Sequence, residues 1–433
     1  MPRGIGHKIN EALGTDLEFE PMCHGAGPGR LADLGARRLR IPGGVRPTDG
    51  KWIMRVLAAI GGVALILVVL WDAFEAIVLP RRVTRRLRLA RVFYRSTWIP
   101  WSAVARWMRP GNRREAFLSF YGPLSLIMLI SVWAVGLVLG FASLQWGLHA
   151  SLKAPEGTAT LLTYLYMSGT SLFTLGLGDV IPQTGVARTL TVAEAGTGFA
   201  FLAMVMGYLP VLYQSFSRRE VNISLLDTRA GSPPKAAELL RRHGEGQALA
   251  DLPQFLREWE RWSAELLESH LSFPVLAYYR SQHNNQSWLA ALTTILDASA
   301  LIIVGVERAP RRHAHLAFAM ARHAVADLAL MFREGPRRPA HERLPPEDLS
   351  RLRQTLAAVG VKLRDGEAAD RRLAALRDMY EPYVNSLAEH LCMDLPPWIV
   401  AGDAADHWQR TAWGRIAGSE PLPGVEPYTD DHF

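Results

Sequence analysis

Hydropathy along the chain falls into long apolar runs followed by a long stretch of helical periodicity. Three runs, residues 56–79, 117–146 and 187–216, have the length and composition of membrane spans, which need about 20 mostly apolar residues each. A fourth, residues 158–182, is shorter, broken by glycines and ended by Asp179. It predicts a re-entrant loop, since irregular backbone survives at membrane depth only where protein or water covers it. From residue 217 onward apolar positions recur at helical spacing, as in LPQFLREWERWSAELLESHL and RHAHLAFAMARHAVADLALMF. Residues 1–51 mix charge with Gly and Pro without periodicity and read as a disordered leader; Met54 offers a second start.

Charge orients these elements. The loop of residues 81–115 carries Arg81, Arg82, Arg85, Arg86, Arg88, Arg91, Arg95, Arg106, Arg109, Arg113 and Arg114 against a single acid, Glu115. The positive-inside rule makes it cytoplasmic, which puts everything after Phe216 on the same side. Trp98, Trp101 and Trp107 in that loop predict amphipathic helices on the membrane surface. Among 433 residues the net charge of +7 and the hydrophobic share of 49% suit membrane spans joined to a polar domain. No basic stripe with interleaved aromatics points to nucleic acid. Cys23 and Cys392 stand too far apart in sequence, with no CxxC pair, to suggest a disulfide framework or a zinc site.

The re-entrant stretch ends in Thr174-Leu175-Gly176-Leu177-Gly178-Asp179. A potassium ion sheds its water only where a ring of oxygens replaces it, and backbone carbonyls do this when an extended strand turns them inward. Alternate glycines allow the dihedral angles such a strand demands. Thr174 adds a hydroxyl at the inner end, and Asp179 anchors the strand and gathers cations at the outer mouth. The preceding TATLLTYLYMSGTSLF fits a short helix with Tyr164 and Tyr166 as packing aromatics, its carbonyl end carrying partial negative charge toward a mid-membrane cation.

Residues 117–216 resemble the pore module of prokaryotic potassium channels, whose filter usually reads T-V-G-Y-G-D or T-V-G-F-G-D. Pro182, Arg188 and Gly198 fall where that family commonly has a proline, an arginine and an inner-helix hinge glycine. The resemblance implies an all-α membrane protein with a potassium-channel-type pore module (116–216): outer helix 117–147, pore helix and filter 158–182, inner helix 187–216. Outside the resemblance, hydropathy and helical period add one extra N-terminal span (52–80) and an α-helical cytoplasmic domain (217–433), in a protein of the cell membrane. It implies a homotetramer, because one chain supplies one filter strand and a carbonyl cage needs four. Potassium ions are then the permeant ligand, without cofactor or metal otherwise, and the chain is not an enzyme. Leu175 replaces the usual valine and Leu177 the bracing aromatic; Tyr166 and Met167 replace the aromatic pair common in the pore helix.

Several residues bear on gating. Gly196 and Gly198 read either as a hinge or as close helix packing. Pro210 kinks or ends the inner helix, and Phe201, Leu202 and Met206 are candidates for an apolar constriction. Glu194, an acid inside a span, faces the cavity or braces the pore helix from behind, with the brace favoured. Asp72 and Glu75 are expected to pair with the adjacent arginines.

In the C-terminal domain no G-x-G-x-x-G, P-loop or HExxH motif occurs. The apolar run LAALTTILDASALIIVGV, with Asp297 inside it, predicts a buried core helix. Arg280, His283 and Asp297 make a candidate ligand site for a small-molecule regulator. His313, His315 and His323 lack a carboxylate or cysteine partner at metal-ligand spacing. The reading is a potassium-selective channel. Its rivals are a nonselective cation channel of the same build and a membrane-anchored sensor with a vestigial pore.

Overall fold

The computed structural model describes residues 50–79, 89–155, 157–244, 250–282, 285–307, 309–339 and 342–399. The leader, Arg81 to Arg88, His283 and the last residues of the domain lie outside them. By internal contacts the chain divides after Trp52, and all that follows concerns the unit Ile53–Phe433.

The first span is α1 (Gly50–Ala73), finished by a π-helical turn (Phe74–Val78). Leu57, Ile60, Leu67 and Trp71 remain exposed on it, as suits a lipid-facing surface. On its inner side it packs closely on α3 (Asn112–Gly147), where a Cβ added to Gly140 would meet Ile66 at 2.7 Å. Asp72 spans the joint: its carboxylate accepts from the Ala90 backbone N–H and from the Trp133 indole, each at 3.0 Å. Those contacts fix the start of α2 (Leu89–Trp107) against α3. The Trp71 indole donates to Glu75 at 2.6 Å. The arginines expected beside these two acids lie outside the described residues.

Outer helix α3 begins at Asn112, ahead of its apolar run, and passes through Pro123 unbroken. A two-stranded ladder, β1 (Leu152–Lys153) with β2 (Ile181–Pro182), ties the chain after α3 to the chain after the re-entrant loop. Between them lies the short helix α4 (Leu161–Leu172). The inner helix α5 runs from Gly185 to Ala230, well past the expected end at residue 216. Pro210 therefore does not end it. A backbone surrounded by apolar groups has no partner but its own ladder, so one missing N–H is tolerated.

The rest is a helical domain: α6 (Ala236–Gly244), α7 (Leu252–Ser272), a 3-10 turn (Pro274–Tyr278), α8 (Trp288–Gly305), α9 (Arg311–Phe332), α10 (Pro346–Ala358), α11 (Glu367–Asp378) and α12 (Glu381–Leu391). Helix α8 is the buried core helix that the sequence predicts. It is long and apolar enough to cross a membrane, yet every residue of its apolar window is buried inside the protein. Ser287 caps it by accepting from Ala290 N–H at 3.0 Å, and Thr293 and Thr294 satisfy their hydroxyls on carbonyls one turn back. Each fully buried Leu or Ile here contributes roughly 1.5–3 kcal/mol.

Two of the three tryptophans assigned to the membrane surface are spent elsewhere. Trp98 packs edge-on against Tyr121 of α3 at 4.7 Å and against Tyr278 at 4.9 Å. Trp101 stacks on Phe117 at 4.4 Å. Only Trp107, 90% exposed, keeps a free ring. An amphipathic helix buries its aromatic face against whatever apolar surface is nearest, and here that surface is protein.

Candidate functional site

The re-entrant loop starts with a reciprocal cap. Thr160 accepts from Thr163 N–H at 3.4 Å while the Thr163 hydroxyl accepts from Thr160 N–H at 3.0 Å, which closes the first turn of α4. Tyr164 is buried and donates to the Ala150 carbonyl at 2.8 Å, fixing α4 to the turn after the outer helix. At the other end, Leu175 N–H reaches Thr170 O at 2.8 Å and Thr174 N–H reaches Ser171 O at 3.1 Å. That pair of bonds is a Schellman motif, with Thr174 in the left-handed position that glycine usually takes (φ 56°).

From there the sign of φ alternates. It is positive at Thr174, Gly176 (56°) and Gly178 (78°), and not at Leu175 or Leu177. A side chain at the two glycine positions would be strained, although space is open: a Cβ at either would meet nothing within 4 Å. These glycines are needed for conformation, not for room. All six residues Thr174 to Asp179 are exposed on the single chain, Leu175 at 60% and Leu177 at 62%. Asp179 is held at both oxygens, one accepting from Val180 N–H at 3.0 Å and the other from the Tyr166 hydroxyl at 2.7 Å. Tyr166 is thus more than a packing aromatic, since its hydroxyl braces the carboxylate that ends the loop.

Behind the loop three helices meet on Glu194, which is fully buried. It accepts from Gln145 of α3 at 2.9 Å and from the Ser168 hydroxyl of α4. An acid in this setting sits behind the pore helix as a brace does. Gln145, a polar residue late in an apolar run, was the available sequence signal for this partner, and the sequence reading missed it.

The inner-helix candidates separate by face. Gly198 lies against the carbonyl end of α4: a Cβ there would fall 1.9 Å from Leu172 O, so this glycine serves close packing. Gly196 faces open space. Phe201 is buried and meets Trp133 of the outer helix edge-on, which removes it from the constriction candidates. Leu202 and Met206 are exposed, as are Phe199 and Leu209 at matching helical spacing. These four form an apolar stripe that this chain leaves uncovered.

Past the membrane-length part, α5 is locked to the domain by Arg219, 3% exposed. Its guanidinium donates to Leu276 O at 2.8 Å, Tyr279 O at 2.9 Å and Glu220 at 2.9 Å. His270 lies 3.4 Å from it, and burial, then the arginine's charge, pushes that imidazole down to about 3. A second joint uses the last turn of α12, whose final carbonyls have no partner within their own helix. Arg106 donates to Glu389 O at 3.1 Å and Trp98 to His390 O at 2.9 Å. Arg280 donates to Leu391 O at 2.6 Å and Cys392 O at 3.0 Å. Arg280 also pairs with Glu115 at the start of α3, 3.5 Å away.

The structure does not bring Arg280 and Asp297 together. Arg280 holds the C-terminal end of α12, whereas Asp297 serves its beginning, bonded by Arg343 at 2.7 Å and by the Tyr380 hydroxyl. Arg343 also reaches Glu381 at 3.2 Å, and Arg377 joins the same glutamate at 3.1 Å. His323 does have a carboxylate, Asp327 one turn on at 3.4 Å, which corrects the sequence reading. Among the described residues no cluster could hold a metal ion.

Against known proteins, residues 127–214 match the family described as ion channel. That segment takes in α3 from Ile127 onward, the whole re-entrant loop and α5 up to Gln214, and the model it matches is that of a two-helix channel-type domain. An uncharacterized membrane protein of Bacillus subtilis (strain 168), YdjJ, is 23% identical over 263 residues, covering 58% of this chain and 75% of that protein. No solved structure gives a significant match. The chain is a helical membrane protein carrying an ion-channel domain.

Proposed function

We propose that the chain is one subunit of a homotetrameric, potassium-selective channel in the cell membrane, with carbonyls of residues 174 to 178 as the ion sites. The observation that carries this reading is the alternation of φ sign along Thr174, Gly176 and Gly178 on a loop that leaves the carbonyl end of a pore helix. Such alternation turns successive carbonyls toward one side, as a dehydrated cation requires. Four exposed copies around one axis make the cage. The process is passive conduction rather than catalysis, with potassium as cargo.

Asp179, fixed by Tyr166, gathers cations at the outer mouth. Leu202 and Met206 line the inner vestibule, and the helical domain, on the cytoplasmic side with the arginine-rich loop, controls them through Arg219 and the α12 joint. Glu194 is a brace and carries no ion. The nonselective reading rests on Leu177, whose side chain has no hydroxyl; the Tyr166 bond to Asp179 supports the selective one. Purified protein in planar bilayers between potassium and sodium solutions separates them. A reversal potential that follows the potassium gradient supports selectivity, and one near zero favours the nonselective channel.

A further inference from the structure

Below the Asp297 network lies a cleft of about 520 Å³, lined by Arg337, Arg338, Arg343, Asn385, Glu389 and the Leu395–Pro397 segment. Small-molecule sites have volumes of about 300–1,000 Å³ with a few convergent polar groups. The polar groups in this wall are unevenly satisfied. Arg343 spends both terminal nitrogens on Asp297, Glu381 and Pro396 O, but its Nε is buried without a partner. The Nδ2 of Asn385, on the adjoining face of α12, is likewise buried and unpartnered. Arg338 at the rim is exposed and forms no ion pair or hydrogen bond among the described residues. The lining's one carboxylate, Glu389, is already taken by Arg337 at 2.6 Å.

The unpartnered buried atoms of the lining are both N–H donors, and the rim adds one free guanidinium. A buried donor without a partner keeps its desolvation cost, which an incoming oxygen recovers. We propose that this cleft binds a small oxoanion, a carboxylate or a phosphate, seated on Arg343 Nε and Asn385 Nδ2 and clamped by Arg338. The site replaces the Arg280, His283 and Asp297 pocket that the sequence suggests. It also lies where occupancy has consequences. Its far wall, Leu395 to Pro397, leads directly into Trp398, whose carbonyl accepts from Ala237 of α6 at 3.2 Å, and α6 follows the inner helix by one short turn. Its near wall is α12, clamped at its end by Arg106 and Trp98. An anion here is thus placed to act on the pore, a consequence that rests on the channel reading; binding itself does not.

Isothermal titration of the detergent-solubilised full chain with inorganic phosphate, and separately with succinate, tests the site. Saturable binding of either probe, weakened at least tenfold by Arg338→Ala and by Asn385→Leu but not by Arg261→Ala on α7, is expected. The probe that binds identifies the anion class. Arg338 is exposed and unpaired, so its variant keeps the fold and decides the matter even if Asn385→Leu does not. No saturable binding of either probe, or binding that Arg338→Ala leaves unchanged, overturns the site. Where binding holds, liposome flux that the bound probe leaves unchanged overturns the effector role alone.

Discussion

The filter loop and the Asp297 network are both knots of unusual residues, and they are built in opposite ways. In the network the charged side chains pair with one another inside the chain: Asp297 is 1% exposed and meets Arg343 and Tyr380, while Glu381 meets Arg343 and Arg377. In the loop, positive φ is held at three alternate residues, and the side chains between them stay mostly exposed on the single chain. Satisfied chemistry holds a fold together, whereas conformation that the fold maintains but does not use points to a partner outside it. The two regions should therefore fail differently.

The largest expected effect is on stability in the domain. Asp297→Ala leaves Arg343 as a buried charge short of its partner and should cost about 3–5 kcal/mol. Leu177→Ala in the loop should cost under about 1 kcal/mol, because that side chain is mostly exposed. Denaturant melts of the two variants check this, and comparable losses would erase the contrast. Next comes Gly198→Ala, whose new Cβ collides with backbone and should cost at least about 1–3 kcal/mol. Gly196→Ala, in open space, should be neutral or gain up to about 1 kcal/mol from helix propensity. Thermal midpoints of the two variants separate packing from hinge, since a hinge at both positions predicts impaired gating in both with little change in melting.

How far the sequence carried is clear from these residues. The spans, the re-entrant loop and the core helix α8 were legible because hydropathy and helical period are local signals. The T-x-G-x-G-D string marked the loop because its glycines serve backbone conformation, which is also local. What the sequence hid was pairing over distance. Trp98 reads as a membrane-surface ring until His390 and Tyr278, far along the chain, are seen to receive it. Arg219 carries no local sequence signal, and its role shows only where it caps the turn before Arg280. Pro210 reads as a kink or an end because propensity cannot register a backbone with nowhere else to bond.

A further effect concerns pH at the joint between α5 and the domain. The folded value of His270, about 3, lies below the ordinary 6.5, so the fold holds the neutral ring beside Arg219 and Glu220. Its contribution is complete above about 6.5 and is lost as pH falls toward 3, by about 1.4 kcal/mol per unit. The thermal midpoint should therefore drop between pH 6.5 and 4.5 and do so less in His270→Gln. The smallest effect is expected from Tyr166→Phe, which removes one solvent-exposed hydrogen bond to Asp179. It should leave the melting temperature nearly unchanged while raising sodium permeability relative to potassium in bilayer recordings.

The central claim is that the loop's backbone, and no other part of the chain, carries the ion. Flux into liposomes holding the purified protein, driven first by a potassium gradient and then by sodium, tests it directly when run beside Gly176→Ala. The account predicts potassium flux well above sodium flux in the native protein and loss of both in a variant that still assembles. Flux that persists in folded Gly176→Ala tetramers, or no flux from native tetramers with either cation in the presence or absence of phosphate and succinate, would contradict it.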